Sequence, residues 1–249
     1  MLILLPPSET KRPDGNGRPF DPSGGDFGRL APERAQVIDA LVALSADPDA
    51  AARVLKLSER QRGDIAVNAA LRTAPTMPAA DRYTGVLFDA LDAASADVDA
   101  RAWLGTHVAI QAAPFGLVGA LEPIPAYRLA AGTSLPGLPP LRRIWAAPVS
   151  EALREAEPGF VLDLRSEAYR ALGPVPDGIR SAYVRVVTEG EDGATRALNH
   201  FNKHAKGALT RALACSGASL GSVDELVVWG AAHGQVLRPL EGGEVALVV

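Results

Sequence analysis

The chain opens on four apolar residues, Leu2 to Leu5, which stop at Pro6-Pro7. A short apolar run ending at a proline pair predicts a buried strand that leads into a loop. Residues 11 to 28 (KRPDGNGRPFDPSGGDFG) are crowded with Gly, Pro, Asp and Arg, and they predict a long irregular loop. A loop of this length inside a compact domain is either functional or mobile. Helical spacing follows, with Val37, Ile38, Leu41 and Leu44 on one side of a helix over Pro32 to Leu44. Asp47 to Leu55 predicts a second helix. Ser58 is suited to cap a third, carrying Ile65, Ala66, Ala69 and Leu71.

Pro75 to Pro78 breaks the pattern, and Asp81 to Leu91 resumes it as a helix, or a turn and a helix, containing Tyr83-Thr84-Gly85. Ala100 to Leu104 predicts a helix. His107 to Ala112 is an apolar run that fits a strand or a buried helix. Pro114 to Pro140 is dense in Gly and Pro and predicts mostly turns. Leu141 to Glu155 is helical, with Trp145 on its apolar side. Strands are then expected at Phe160 to Leu164 and Ala182 to Thr188, with a turn at Glu189 to Gly193. Arg196 to Ala214 is the best amphipathic helix in the chain. Leu226 to Trp229 and Val245 to Val249 read as closing strands. Helices and strands are interspersed without a repeat, so a mixed α/β (α+β) single domain follows.

Composition adds bounds. Apolar residues make up 47% of the 249, enough for a sizeable core, while aromatics are only 5%. Net charge is −4, so any nucleic-acid surface must come from a local basic patch rather than an overall excess. A lone cysteine, Cys215, excludes an intrachain disulfide. The opening residues MLILLPPSETKR lack a secretory pattern, and no apolar run has the roughly 20 residues that span a bilayer. The chain reads as cytoplasmic, with no membrane partner.

Four segments carry candidate chemistry. Pro6 to Lys11 sets Ser8, Glu9, Thr10 and Lys11 directly after a buried strand, where ligands of α/β proteins often bind; a plain exposed loop is the bland alternative. In Arg196 to Arg211, His200, Lys203, His204, Gly207 and Arg211 share a helix face beside Lys206, fit for phosphate oxygens or simply solvated. Tyr127-Arg128 follows Pro123 and Pro125, which suits an anion or an internal ion pair. Asp163-Leu164-Arg165-Ser166 ends a strand, and Ser166 there also fits a helix cap. The four histidines show no convincing metal spacing, and neither a dinucleotide fingerprint, a phosphate-binding loop motif nor a nucleophile elbow occurs. No metal and no cofactor is expected.

Read in order, MLILLPPSETK, RYTGVLFDAL, FGLVGALEPIPAYRLAAG, DLRSEAY and NKHAKGALTRAL resemble the YaaA family of peroxide stress proteins over most of the chain. The resemblance implies a single domain of the family's own mixed α/β fold with a cationic cleft. It also implies DNA binding through a helix-hairpin-helix element and a role in limiting peroxide damage. The hairpin falls near Ala113 to Pro123 and includes Phe115 and Gly116, of which Gly116 keeps the family pattern. The implied ligand or DNA contacts are Ser8, Lys11, Tyr83, Arg128, Arg165, Ser166, Asn202, Lys203, Lys206 and Arg211. Glu9 stands where many relatives carry Lys. Two functions stay open beside a purely structural role: a DNA-binding stress protein, and an enzyme on a small anionic or nucleotide-like substrate. In the second, Glu9 or Asp163 is the acid or base.

Overall fold

The computed structural model describes the backbone of residues 1–189, 195–197 and 199–249, and the side chains of 1–188 and 202–249. The expected turn at Glu189 to Gly193 lies, from Gly190 onward, outside the described residues, as does the side chain of His200.

The first strand, β1 (Leu2–Leu5), leads through the long loop into α1 (Ala31–Leu44), α2 (Pro48–Val54) and α3 (Asp64–Ala69). A two-residue strand β2 (Met77–Pro78) precedes α4 (Ala79–Arg82), α5 (Val86–Leu91) and α6 (Val98–His107). Next come β3 (Val108–Ala112), β4 (Gly116–Gly119), β5 (Pro123–Ile124), α7 (Leu141–Glu155), β6 (Val161–Asp163) and α8 (Glu167–Arg170). The chain closes with β7 (Ser181–Glu189), β8 (Thr195–Ala197), α9 (Asn199–Ser216), α10 (Val223–Ala232), β9 (Val236–Leu240) and β10 (Glu244–Val248). The main sheet runs β4-β3-β1-β6-β7-β10-β9, with β8 beside the far end of β7. Its five inner strands are parallel, and β4, β8 and β9 pair antiparallel.

Parallel strands need both faces covered, which fits their continuous apolar sequences. Ile3, Leu4 and Leu5 are wholly buried, as are all five residues of β3. Because β1, β6 and β7 run the same way, the loops after Leu5 and Asp163 and the start of α9 meet at one end of the sheet.

Two parts of the sequence reading are corrected. Leu226 to Trp229 lies inside helix α10; Ser222, whose hydroxyl accepts from Glu225 N (3.2 Å), caps it, and this Ser-x-x-Glu start outweighs the short apolar run. Pro114 to Pro140 is mostly turn, as expected, but β4 pairs with β3 from Gly116 to Gly119. The segment expected as a helical hairpin is therefore a β-hairpin. Its turn is packed inward: Phe115 lies between Phe20 (4.7 Å) and Tyr127 (5.3 Å). Gly116 has φ +66°, and a Cβ there would meet the Trp145 ring at 2.8 Å. Phe115 and Gly116 thus offer nothing to a ligand.

The loop over residues 11 to 28 is irregular as expected, yet it is pinned. Its carbonyls lack a ladder and need donors from elsewhere. Fully buried Arg34 donates to Pro22 O (3.0 Å) and Gly24 O (3.1 Å), and also to Phe115 O (2.9 Å) and Leu117 O (2.6 Å) in the β-hairpin. Arg82, equally buried, donates to Arg12 O (2.6 Å), Asp14 O, Pro75 O (3.2 Å) and Ile124 O (3.1 Å). The same loop thereby covers the core and fixes the exit of β1. Arg34→Met would strip four carbonyls of their donor and is expected to cost about 3 kcal/mol or more. Urea denaturation measures this, and a loss below about 1 kcal/mol would contradict the pinning role.

Candidate functional site

Helix α9 is the element that brings cations to the sheet end. It crosses α5 with almost no side chain between them: a Cβ on Gly207 would lie 2.1 Å from Leu87 O. This mid-helix glycine lets the two backbones approach closely. Arg211, one turn further on, donates to Leu91 O (3.1 Å), Asp92 O and Ser95 Oγ (3.1 Å), and so ties down the end of α5.

Between α9, the strand ends and two loops lies a cavity of about 1000 Å³. Pro6 to Lys11 forms one wall, and Arg128 to Gly132 and Gly85 to Phe88 form others. Ser166 to Tyr169, Tyr183 to Val187, Asn202, Lys203 and Lys206 complete it. The loop that carries Arg128 is held by buried Asn68, which accepts from Arg128 N (2.7 Å) and donates to Arg128 O (2.8 Å).

At one pole, Lys11 Nζ donates to Ser8 O (3.0 Å) and Glu9 O (3.3 Å) and sits 4.0 Å from the centre of the Tyr127 ring. Tyr127 and Tyr83 share a hydroxyl–hydroxyl bond of 2.8 Å, and burial pushes both phenols up, keeping them neutral. Burial, helped by the charge of Arg128, lowers Lys11 to about 7. Arg128 Nη2 lies 3.5 Å from Glu9 Oε2, a loose contact with an exposed carboxylate.

At the other pole, Arg165 is wholly buried. Its Nε and Nη2 clasp Asp163 Oδ1 (2.8 Å) and Oδ2 (2.6 Å), and its Nη1 reaches Gly173 O (2.8 Å) and Gln111 Oε1. In front of this pair stands Lys206, 5% exposed, its Nζ 5.5 Å from the centre of the Tyr183 ring. Burial lowers Lys206 to about 8, with the charge of Asp163 opposing. Arg185 is occupied by Glu244 (Nη2 to Oε1, 2.8 Å) and approaches Glu167 at 3.8 Å.

The residues expected from sequence thus divide. Ser8, Glu9, Lys11, Arg128, Ser166, Asn202, Lys203 and Lys206 line one cavity. Tyr83 lies beneath Lys11, and Asp163 and Arg165 form the packed floor. Arg211, Phe115 and Gly116 are turned to structural work elsewhere. Sequence reasoning missed Tyr169, Tyr183 and Arg185. The last two alternate along β7, the period that places them on one face, and that alternation was the available signal.

A family model described as peroxide stress protein YaaA matches residues 1–232. A UPF0246 protein of Corynebacterium glutamicum is 43% identical over 96% of this chain and 95% of its own length. One from Corynebacterium efficiens is 42% identical over 100% and 99%. One from Streptomyces coelicolor is 41% identical over 91% and 88%.

The lowered Lys206 sets a pH signature. Below about 8 the folded chain holds a buried ammonium at a cost, and between about 8 and the ordinary 10.5 the folded state binds fewer protons than the unfolded. Stability from this group therefore rises with pH across that window. Lys206→Met removes the buried charge, so its stability advantage over the parent chain is expected to shrink as pH goes from 8 to 10.5. Thermal unfolding of both proteins across that range is the check, and a constant difference would contradict it.

Proposed function

The chain belongs to the YaaA peroxide stress protein family, and on that footing we propose that it binds a nucleotide-sized anionic ligand in the cavity at the strand ends, as its part in the response to peroxide. The observation that carries this reading is the convergence of Lys11, Arg128, Lys203 and Lys206, from three distant stretches of sequence, on one space of about 1000 Å³. Ligand-sized pockets run from about 300 to 1000 Å³, with mostly apolar walls and a few polar groups that orient the guest. Here Pro6, Pro7, Leu87, Phe88 and Leu129 supply such walls. The position also fits the rule that open α/β sheets take ligands beyond the carboxyl ends of their strands.

If the ligand is also turned over, Glu9 is the better-placed carboxylate. It lines the cavity, whereas both oxygens of Asp163 are taken by Arg165.

DNA binding is the second reading, favoured by the exposed Lys203 at the cavity and by the family's implied contacts. The cavity volume suits a single nucleotide, so a strand would engage it by turning one nucleotide out of the stack.

A thermal-shift titration with nucleoside monophosphates tests the first reading. At 100 times Kd a ligand stabilises by about 2.7 kcal/mol, so a clear rise in melting temperature with at least one of them is expected. No shift with any would refute it. The DNA reading predicts fluorescence anisotropy of a labelled oligonucleotide that falls steeply as salt rises; no binding at low salt would refute that.

A further inference from the structure

Within the proposed cavity, the cations are not equivalent. Lys11 already gives two hydrogen bonds to carbonyls and rests on the Tyr127 ring. Arg128 faces Glu9, and Arg185 is held by Glu244. Arg165, buried behind the wall, is bonded to Asp163, Gln111 and Gly173. Lys206 and Lys203 differ: among the described residues neither ammonium has a hydrogen bond or ion pair, and both residues line the cavity three positions apart on α9. Asp163 attracts Lys206 through space but makes no bond to it, and its oxygens accept from Arg165 instead.

A buried ammonium without a hydrogen-bonding partner is costly, and the fold holds it there through the close crossing at Gly207. An anion that entered the cavity would meet this ammonium. A phosphate group supplies several strong acceptor oxygens, enough to serve two ammonium groups on one helix face at once.

Resting on the reading of the cavity as a nucleotide-sized site, we propose that the ligand is a phosphate monoester whose phosphate is anchored by Lys206, with Lys203 as the outer contact. The organic body of the ligand then runs from α9 toward the apolar wall of Pro6, Pro7 and Leu129. Lys11 and Arg128 border that body and do not hold the phosphate. The cavity thus has a direction, phosphate at the helix and body toward the loops.

Isothermal titration of the four ribonucleoside 5′-monophosphates and of their parent nucleosides tests this in the intact chain, in Lys206→Met and in Lys206→Arg. The parent chain is expected to prefer at least one monophosphate over its nucleoside by about tenfold or more. Lys206→Met is expected to erase that preference while leaving nucleoside binding in place, and Lys206→Arg to restore part of it. Thermal unfolding confirms that each variant is folded. Monophosphate binding with the preference intact in Lys206→Met would overturn the anchor and leave the cavity reading standing. Equal binding of nucleoside and monophosphate by the parent chain would do the same. Binding of none of these compounds would overturn both.

Discussion

The arrangement at the sheet end depends on one buried interaction, the clasp of Arg165 on Asp163. A guanidinium and a carboxylate removed from water must satisfy each other almost completely, or the fold pays several kcal/mol for each ion. Here the carboxylate receives two side-chain bonds and the backbone N–H of Arg165, while the remaining guanidinium donor reaches Gln111 on β3 and Gly173 beyond α8. One charge pair therefore ties β3, β6 and the segment after α8 together. It also closes the floor of the cavity with a pair that is buried behind the wall and bonded to itself. What remains chemically open is what stands in front of it.

That logic separates two kinds of buried cation in this chain. Arg34, Arg82 and Arg165 each use a planar fork of donors to satisfy carbonyls or a carboxylate, which suits arginine's fixed geometry. They hold irregular backbone in place. Lys206 is a point charge on a flexible stem, buried beside an aromatic ring without a bonded partner. Among the described residues the buried arginines Arg34, Arg82 and Arg165 are all bonded, whereas the buried ammonium of Lys206 is not, and it faces the cavity. The packing device that allows this is small: the glycine at 207 brings α9 onto α5 so that Lys203 and Lys206 reach the strand ends.

Much of this was legible in the sequence. Leu2 to Leu5 followed by prolines marks β1 and its exit loop, and Leu141 to Glu155 marks α7 to the residue. Ser8, Lys11, Arg128 and Lys203 were expected near one another and do share a cavity. Their individual roles were not legible, because a role depends on which partner fills each donor. Arg211 and Lys206 both lie on α9, yet one caps α5 and the other faces the cavity. The β-hairpin at Phe115 and Gly116 was hidden by its glycines and prolines, which signal turns as readily as a tight strand pair. The helix over Leu226 to Trp229 shows that a cap pattern decides where a short apolar run is ambiguous.

The most direct measurement is a crystal structure of the chain grown or soaked with a nucleoside monophosphate. Ligand density is expected in the cavity with phosphate oxygens within hydrogen-bonding distance of Lys206 Nζ, and Asp163–Arg165 unchanged behind it. A phosphate seated instead on Lys11 and Arg128, or a ligand bound outside the cavity, would contradict that expectation.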